Sequence, residues 1–341
     1  MLKHYFSSIM VTVLAVAAGF WIDGPAGAWM VLVLGVLEIS LSFDNAVVNA
    51  SILQHWSPLW QARFIRYGLP VAVFGMRFAF PLIIVAILAD IDPVEAFTLA
   101  LHQPDAYARI LTASHHQIAA YGGAFLFMAF FKYFLDKEKN VHWIEFIERR
   151  LSLLGKLEAI QVVLVLLILI AAAGDLPAAD RYAFMLSGLA GLITYVLADA
   201  LGTLVDGDAA GKGGRMVKEG VMGLLYLELL DASFSFDGVI GAFAVTNNIL
   251  IITLGLGIGA MFVRSITLHL VETGKLAEYR FLEHSAFWAI GALAALTISG
   301  VHWDIPDGVA GLLGGLLIGL GLLSSMAANK RDAKAAMAKG V

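Results

Sequence analysis

Glu38-Ile39-Ser40-Leu41-Ser42-Phe43-Asp44-Asn45 returns much later in the chain as Asp231-Ala232-Ser233-Phe234-Ser235-Phe236-Asp237-Gly238. At one constant offset acid aligns with acid at both ends, Ser40 with Ser233, Ser42 with Ser235 and Phe43 with Phe236, which points to an internal repeat rather than chance. Each copy lies inside a long apolar run. A looser match extends the repeat to the following run, where Arg77 stands opposite Arg264.

Working outward, the whole chain has the same apolar character. Of 341 residues 60% are hydrophobic and 14% charged, and the mean hydropathy is +0.83, far from an ordinary soluble domain. Ten runs are long enough to cross a hydrocarbon layer as helices: 3–22, 27–53, 68–90, 117–135, 157–174, 181–203, 217–245, 248–270, 282–300 and 308–327. In that topology Arg63, Arg66, Lys137, Arg149, Arg150, Lys212, Arg215, Lys275, Lys330 and most other basic residues fall on one face, which is then the cytoplasm. The opposite loops are acidic, with Asp23, Asp92, Glu95, Asp105, Asp175 and Asp304. The expectation is an all-α, polytopic protein of a bacterial inner (plasma) membrane, both termini cytoplasmic. Lys3, the apolar run behind it and the small residues Ala26, Gly27 and Ala28 also resemble a secretory signal; the pairing of halves favours a retained helix.

The motif-bearing runs, second and seventh, are separated by an odd number of crossings, so they run in opposite directions. This predicts a 5+5 inverted-topology repeat, with residues 1–156 as the first half, 157–327 as the second and 328–341 as a cytoplasmic tail. The first half closes on a short interfacial helix, in which Trp143, Phe146, Ile147, Arg150 and Leu154 recur at helical spacing between residues 140 and 157. Residues 207–214 read as a glycine-rich linker, without the spacing of a phosphate-binding loop.

Charge at depth is the functional clue. Glu38, Asp44, Glu228, Asp231 and Asp237 all sit deep in apolar runs, where five carboxylates would cost on the order of 10 kcal/mol unless neutralised or hydrated. A bound cation would offset much of that. Residues six apart on an ideal helix differ by about 120° in direction, so Glu38 and Asp44 share a site only if the helix breaks. Asp44-Asn45 and Asp237-Gly238 are the expected break points, since Asn and Gly tolerate non-helical backbone. With no cysteine in the chain, disulfides and thiolate ligands are excluded, and hard oxygen donors suit Mg2+, Ca2+ or Mn2+. The serines of the motif are either further ligands or small residues at a helix contact. Arg77 and Arg264 are candidate charge partners for the acids.

Glu38-Ile-Ser-Leu-Ser-Phe-Asp44-Asn45-Ala-Val-Val and Ser235-Phe-Asp237-Gly-Val-Ile-Gly-Ala-Phe resemble the paired signature segments of the TerC family, in its DUF475 branch. The likeness continues through Gly75-Met-Arg77-Phe, Phe262-Val-Arg264-Ser and Glu283-His284-Ser285-Ala286, and covers most of the chain. It implies an integral membrane protein linked to tellurite resistance, with manganese export as the activity of several members. Carried over by position, the resemblance marks Glu38, Asp44, Asn45, Asp231 and Asp237 as metal-site residues; Gly238 departs from Asn45 and makes the half-sites unequal.

The leading expectation is therefore a divalent-cation transporter, most readily a manganese exporter, working by alternating access, with Mn2+ or else Ca2+ as substrate. Its metal residues would be Glu38, Asp44, Asn45, Asp231, Asp237 and Glu228. No organic cofactor, catalytic residue or nucleic-acid partner is expected; metal ion and bilayer are the partners. A noncatalytic assembly or metal-stress factor is the alternative. An intramembrane aspartyl protease fits less well, because neither Asp44 nor Asp237 lies in a Gly-x-Gly-Asp context. Elsewhere Asp199 is a candidate proton relay, His115, His116, His269 and His284 read as interface residues, and Trp21, Trp29, Trp56, Trp60 and Trp303 as an aromatic belt.

Overall fold

The computed structural model describes residues 2–68, 71–136, 141–157, 159–174, 176–205, 219–274, 278–303 and 305–338. Among them there is no strand. In chain order the helices are α1 (Leu2–Leu41), α2 (Phe43–Leu53), α3 (Pro58–Arg63), α4 (Phe80–Ala89), α5 (Pro93–His102), α6 (Pro104–Ala113) and α7 (His115–Phe134). There follow α8 (Glu145–Leu154), α9 (Ile160–Gly174), α10 (Ala178–Val205), α11 (Val221–Val245), α12 (Ile249–Thr273), α13 (Leu282–Ser299) and α14 (Asp307–Ala338). Two π-helical stretches, Phe64–Gly68 and Val71–Ala79, lie between α3 and α4.

The first of these helices is two in one. Asp23 (φ −141°, ψ 30°) and Gly24 (φ 59°, ψ −150°) leave helical geometry, and the second of these conformations is open only to glycine. A side chain placed on Gly19 would lie 2.7 Å from Val31, whereas twelve residues of straight helix span about 18 Å. The chain therefore doubles back at Gly24-Pro25 as a helical hairpin.

Among the described residues five helices are long and apolar enough to cross a membrane: Tyr5–Leu41, Ala178–Ala200, Ile249–Thr273, Leu282–Ser299 and Val309–Asp332. Arg77–Ile87 and Ile160–Gly174 are shorter apolar helices. Large apolar side chains such as Phe6, Ile87 and Leu312 point outward while Glu38, Asp44, Arg77, Glu228 and Asp231 are buried. That inversion of the soluble pattern suits a lipid solvent, and the chain is a membrane protein.

Packing centres on α7 and α12. On α7, Phe125, Phe130, Tyr133 and Phe134 are buried, and Tyr133 stacks on Phe287 of α13 with ring centres 4.0 Å apart. The N-terminal half of α1 is held on α12 by Ser8, whose hydroxyl bonds Ser265 Oγ at 2.7 Å and Met261 O at 2.8 Å. Helix α2 packs on α12, α13 and α14, while the Val71–Ala79 stretch lies against α11 and α12. These contacts bring both motif copies to one place.

Residues 91–116, which carry no crossing in the sequence reading, fold as the short helices α5 and α6. Pro93 and Pro104 each start a helix, where a missing N–H costs nothing. Asp92 caps α5 by accepting from Val94 N (2.8 Å) and Glu95 N (3.0 Å). The 207–214 linker expectation lies outside the described residues.

Candidate functional site

The first copy of the motif spans a helix interruption. Helix α1 stops at Leu41, Ser42 takes φ −103° and ψ 16°, and α2 starts at Phe43. The break is thus two residues before the expected Asp44-Asn45. Asp44 sits in the first turn of α2, where a carboxylate is favoured, and its Oδ1 accepts from Asn45 N at 2.9 Å. In the second copy the expected break at Asp237-Gly238 is absent: α11 runs unbroken through both residues. The side chain of Asp237 lies outside the described residues.

Arg77 joins the two copies. Its Nη2 donates to Glu38 Oε1 at 2.6 Å, and its Nη1 lies 3.6 Å from Asp231 Oδ2. All three side chains are buried, with Arg77 only 1% exposed. A charge so placed is tolerated only when paired, and here one guanidinium pairs with the first acid of each copy. Its carrier is the π-helical stretch Val71–Ala79, a wide-turn geometry often found at functional sites.

Other donors complete the cluster. Ser42 Oγ donates to Glu38 Oε1 at 2.9 Å, and Asn45 Nδ2 donates to Asp231 Oδ1. Of the motif serines, Ser42 alone among the described side chains reaches an acid; Ser40 bonds Val36 O and Ser233 bonds Leu229 O within their own helices. Close approach to Glu38 needs glycine at two points. A Cβ on Gly259 of α12 would stand 2.5 Å from Glu38 Cβ, and one on Gly238 would stand 2.8 Å from Glu38 Oε2. Gly238 therefore makes room for the carboxylate that Arg77 holds.

Two small cavities flank this ion-paired layer, each of about 30 Å³, room for at least one water-sized occupant. The first is lined by Glu38, Ser42, Asp44, Phe234, Gly238 and Gly311. The second is lined by Asn49, Gly68, Arg77, Glu228, Asp231 and Arg264, among others. All of the proposed ligand residues whose side chains are described thus fall in the layer or line one of the two cavities. Among the described residues no three His, Asp or Glu side chains converge on one metal position; Arg77 stands between Glu38 and Asp231.

A family profile described as "Protein of unknown function (DUF475)" matches residues 43–332, most of the chain. The chain belongs to the DUF475 family. Glu38 lies just ahead of the matched span, whereas Asp44, Asn45, Arg77, Glu228, Asp231 and Asp237 fall within it. The chain is also similar to the uncharacterized membrane protein YceF of Bacillus subtilis (strain 168), with 32% identity over 88 residues. That alignment covers 25% of this chain and 33% of YceF, so the chain spans about a third of the relative's length. No solved structure matches it.

The remaining sequence candidates have structural partners. Asp199 pairs with Lys132 at 2.8 Å, and His116 lies 3.9 Å from Asp180. Trp21, Trp29 and Trp303 are exposed, but Trp56 is 4% exposed and belongs to the core, a correction to the aromatic-belt reading. Asn248 caps α12, and Asn247 Nδ2 donates to Asp105 at 2.5 Å.

One buried acid escaped the sequence reading. Glu148 of α8 is fully buried and accepts from Trp143 N (3.0 Å), Ile144 N (3.2 Å) and Trp288 Nε1 (3.0 Å). His284 binds Val141 O at 2.7 Å beside it, which fastens α8 to α13. A signal existed: Ile144, Glu148 and Leu151 recur at helical spacing on the side opposite Phe146 and Arg150.

Proposed function

We propose that the protein is a divalent-cation transporter, most specifically a manganese exporter, and not an enzyme. One observation carries the reading: the first acid of each motif copy, Glu38 and Asp231, meets in a buried layer bridged by Arg77, with a small cavity walled in part by carboxylates on either side. Carboxylates, an Asn amide and a Ser hydroxyl form a hard-oxygen set that suits Mn2+ or Ca2+. Two acid-bearing segments meeting at depth is the arrangement by which inverted-repeat transporters expose one site to each face in turn. The resemblance to the TerC family supports manganese and the outward direction.

In this reading ten segments cross a bacterial inner membrane as a 5+5 inverted repeat, with residues 1–156 and 157–327 as the halves and both termini in the cytoplasm. The helical hairpin of α1, the short apolar helices ending at Ile87 and Gly174, and helices α7 and α11 supply the crossings beyond those that length and hydropathy select. Helix α8, with Phe146 exposed and Arg150 stacked 3.9 Å over its ring, lies along the cytoplasmic interface. Asp237 is assigned to the metal site from its place in the repeat.

The test is the manganese content of manganese-challenged cells expressing wild type, Asp44→Asn or Asp237→Asn at matched membrane levels. Wild type should lower cellular manganese and both variants should fail to. If all three match empty vector, manganese export is wrong, and calcium transport or an assembly role takes its place.

A further inference from the structure

Arg77 divides what the sequence presents as one acidic cluster. Beyond the guanidinium, the second cavity holds oxygen atoms that have no hydrogen-bond donor among the described residues: Asn49 Oδ1, Glu228 Oε2 and Asp231 Oδ2. Asn49 is the informative member. It is 4% exposed, lies outside both motif copies, and its carbonyl oxygen is left without a donor at a cavity wall shared with two carboxylates. A buried amide oxygen without a partner costs about 1–3 kcal/mol, so its retention points to a partner that comes and goes. Beside it Gly68 lets the backbone approach Glu228 closely, since a Cβ there would stand 2.7 Å from Oε1.

The charges fit the same picture. Around the layer and its two cavities Glu38, Asp44, Glu228 and Asp231 face Arg77 and Arg264. Among the described side chains, with every group ionised, two negative charges are left over, the complement of one divalent ion.

We propose that the cavity of Asn49, Glu228 and Asp231 is a second cation subsite, and that Arg77 is a tethered counter-cation which a substrate ion displaces in passing between it and the Glu38–Ser42–Asp44 cavity. The proposal rests on the transporter reading and deepens it. An ion on either side is bound by oxygens alone; to move across it must take the place that the guanidinium holds between Glu38 and Asp231. Arg77 then returns as the ion leaves, which keeps the layer neutral and closes the path behind it. Arg77 is a positioning residue in this scheme, and Asn49 a ligand of the second subsite.

The experiment uses the full chain in lipid nanodiscs for Mn2+ binding, followed by loss of the free-ion EPR signal, and in proteoliposomes for Mn2+ flux. Asn49→Ala removes a ligand of the second subsite, so Mn2+ flux should fall about tenfold or more. Arg77→Gln removes the competing charge, so Mn2+ should bind about tenfold tighter while flux is lost, and Mn2+ should raise this variant's melting temperature more than it raises the wild type's. Arg77→Lys, a point charge that cannot span both carboxylates, should bind about threefold tighter than wild type, and it carries the same test if the Gln variant does not fold. Wild-type flux in Asn49→Ala overturns the second subsite; unchanged or weaker Mn2+ binding in the folded Arg77 variants overturns displacement. A wild type that neither binds nor moves Mn2+ overturns the transporter reading beneath both.

Discussion

In the first motif copy the helix is interrupted at Ser42 and the two acids face a common cavity; in the second, α11 passes through Asp231 and Asp237 without a break. Their contacts cross over. Asn45 of the first copy donates to Asp231 of the second, and the position matching Asn45, Gly238, lies against Glu38 of the first. The crossed pairs match by motif position but have unequal chemistry: an amide donates to Asp231 Oδ1, whereas the missing side chain at Gly238 leaves Glu38 to Ser42 and Arg77. The two motif copies thus divide their labour. One copy supplies the break and the amide, the other a straight helix and the space into which an arginine-bound carboxylate fits.

The sharpest way to break this comparison is to remove the group both copies share. Arg77→Met should destabilise the protein by about 3–5 kcal/mol without added metal, since it leaves two buried carboxylates without their cation; denaturant unfolding in detergent micelles measures it. A loss below about 1 kcal/mol would mean that the acids are neutral without Arg77.

Gly259→Ala tests the close approach on the first copy's side. Its Cβ would collide with Glu38 Cβ, and the expected cost is about 1–3 kcal/mol with no change in charge. Asn45→Ala and Gly238→Asn test the crossing itself. The first leaves Asp231 Oδ1 without its amide donor and should cost about 1–3 kcal/mol. Gly238→Asn inserts the side chain the second copy lacks, against a flexible carboxylate end, and should cost less than Gly259→Ala, its main effect being to loosen Glu38 from Arg77. Thermal melts of the three variants rank them, and a Gly238→Asn protein more stable than wild type would show that the asymmetry has no packing cause.

The smallest effect separates the serines. Ser42→Ala loses a 2.9 Å bond to a buried carboxylate and should cost about 1.5 kcal/mol. Ser40→Ala loses only a bond to its own helix and should stay within about 0.5 kcal/mol of wild type. Equal values would place Ser42 outside the site.

The acids were legible because charge in an apolar run is conspicuous, and their repetition at one offset pointed to a shared site. The position of the break was not. Asn45 and Gly238 read as helix breakers, but Asp44 stabilises a helix start that keeps Asn45 helical, and Gly238 is there for space rather than for its backbone freedom. Asn49 escaped notice because a neutral amide four residues beyond the motif carries no charge signal; only its buried, undonated oxygen singles it out. The burial of Trp56 depends on tertiary packing that no local pattern encodes.

The most direct test of the central claim is Mn2+ flux through purified protein in proteoliposomes, comparing wild type with Asp44→Asn and Asp231→Asn, one acid from each motif copy. The account predicts saturable flux in the wild type and at least a tenfold loss in each variant, since both copies build one path. Wild-type flux retained in either variant would contradict a shared site, and no flux in a folded wild type would contradict transport of this ion.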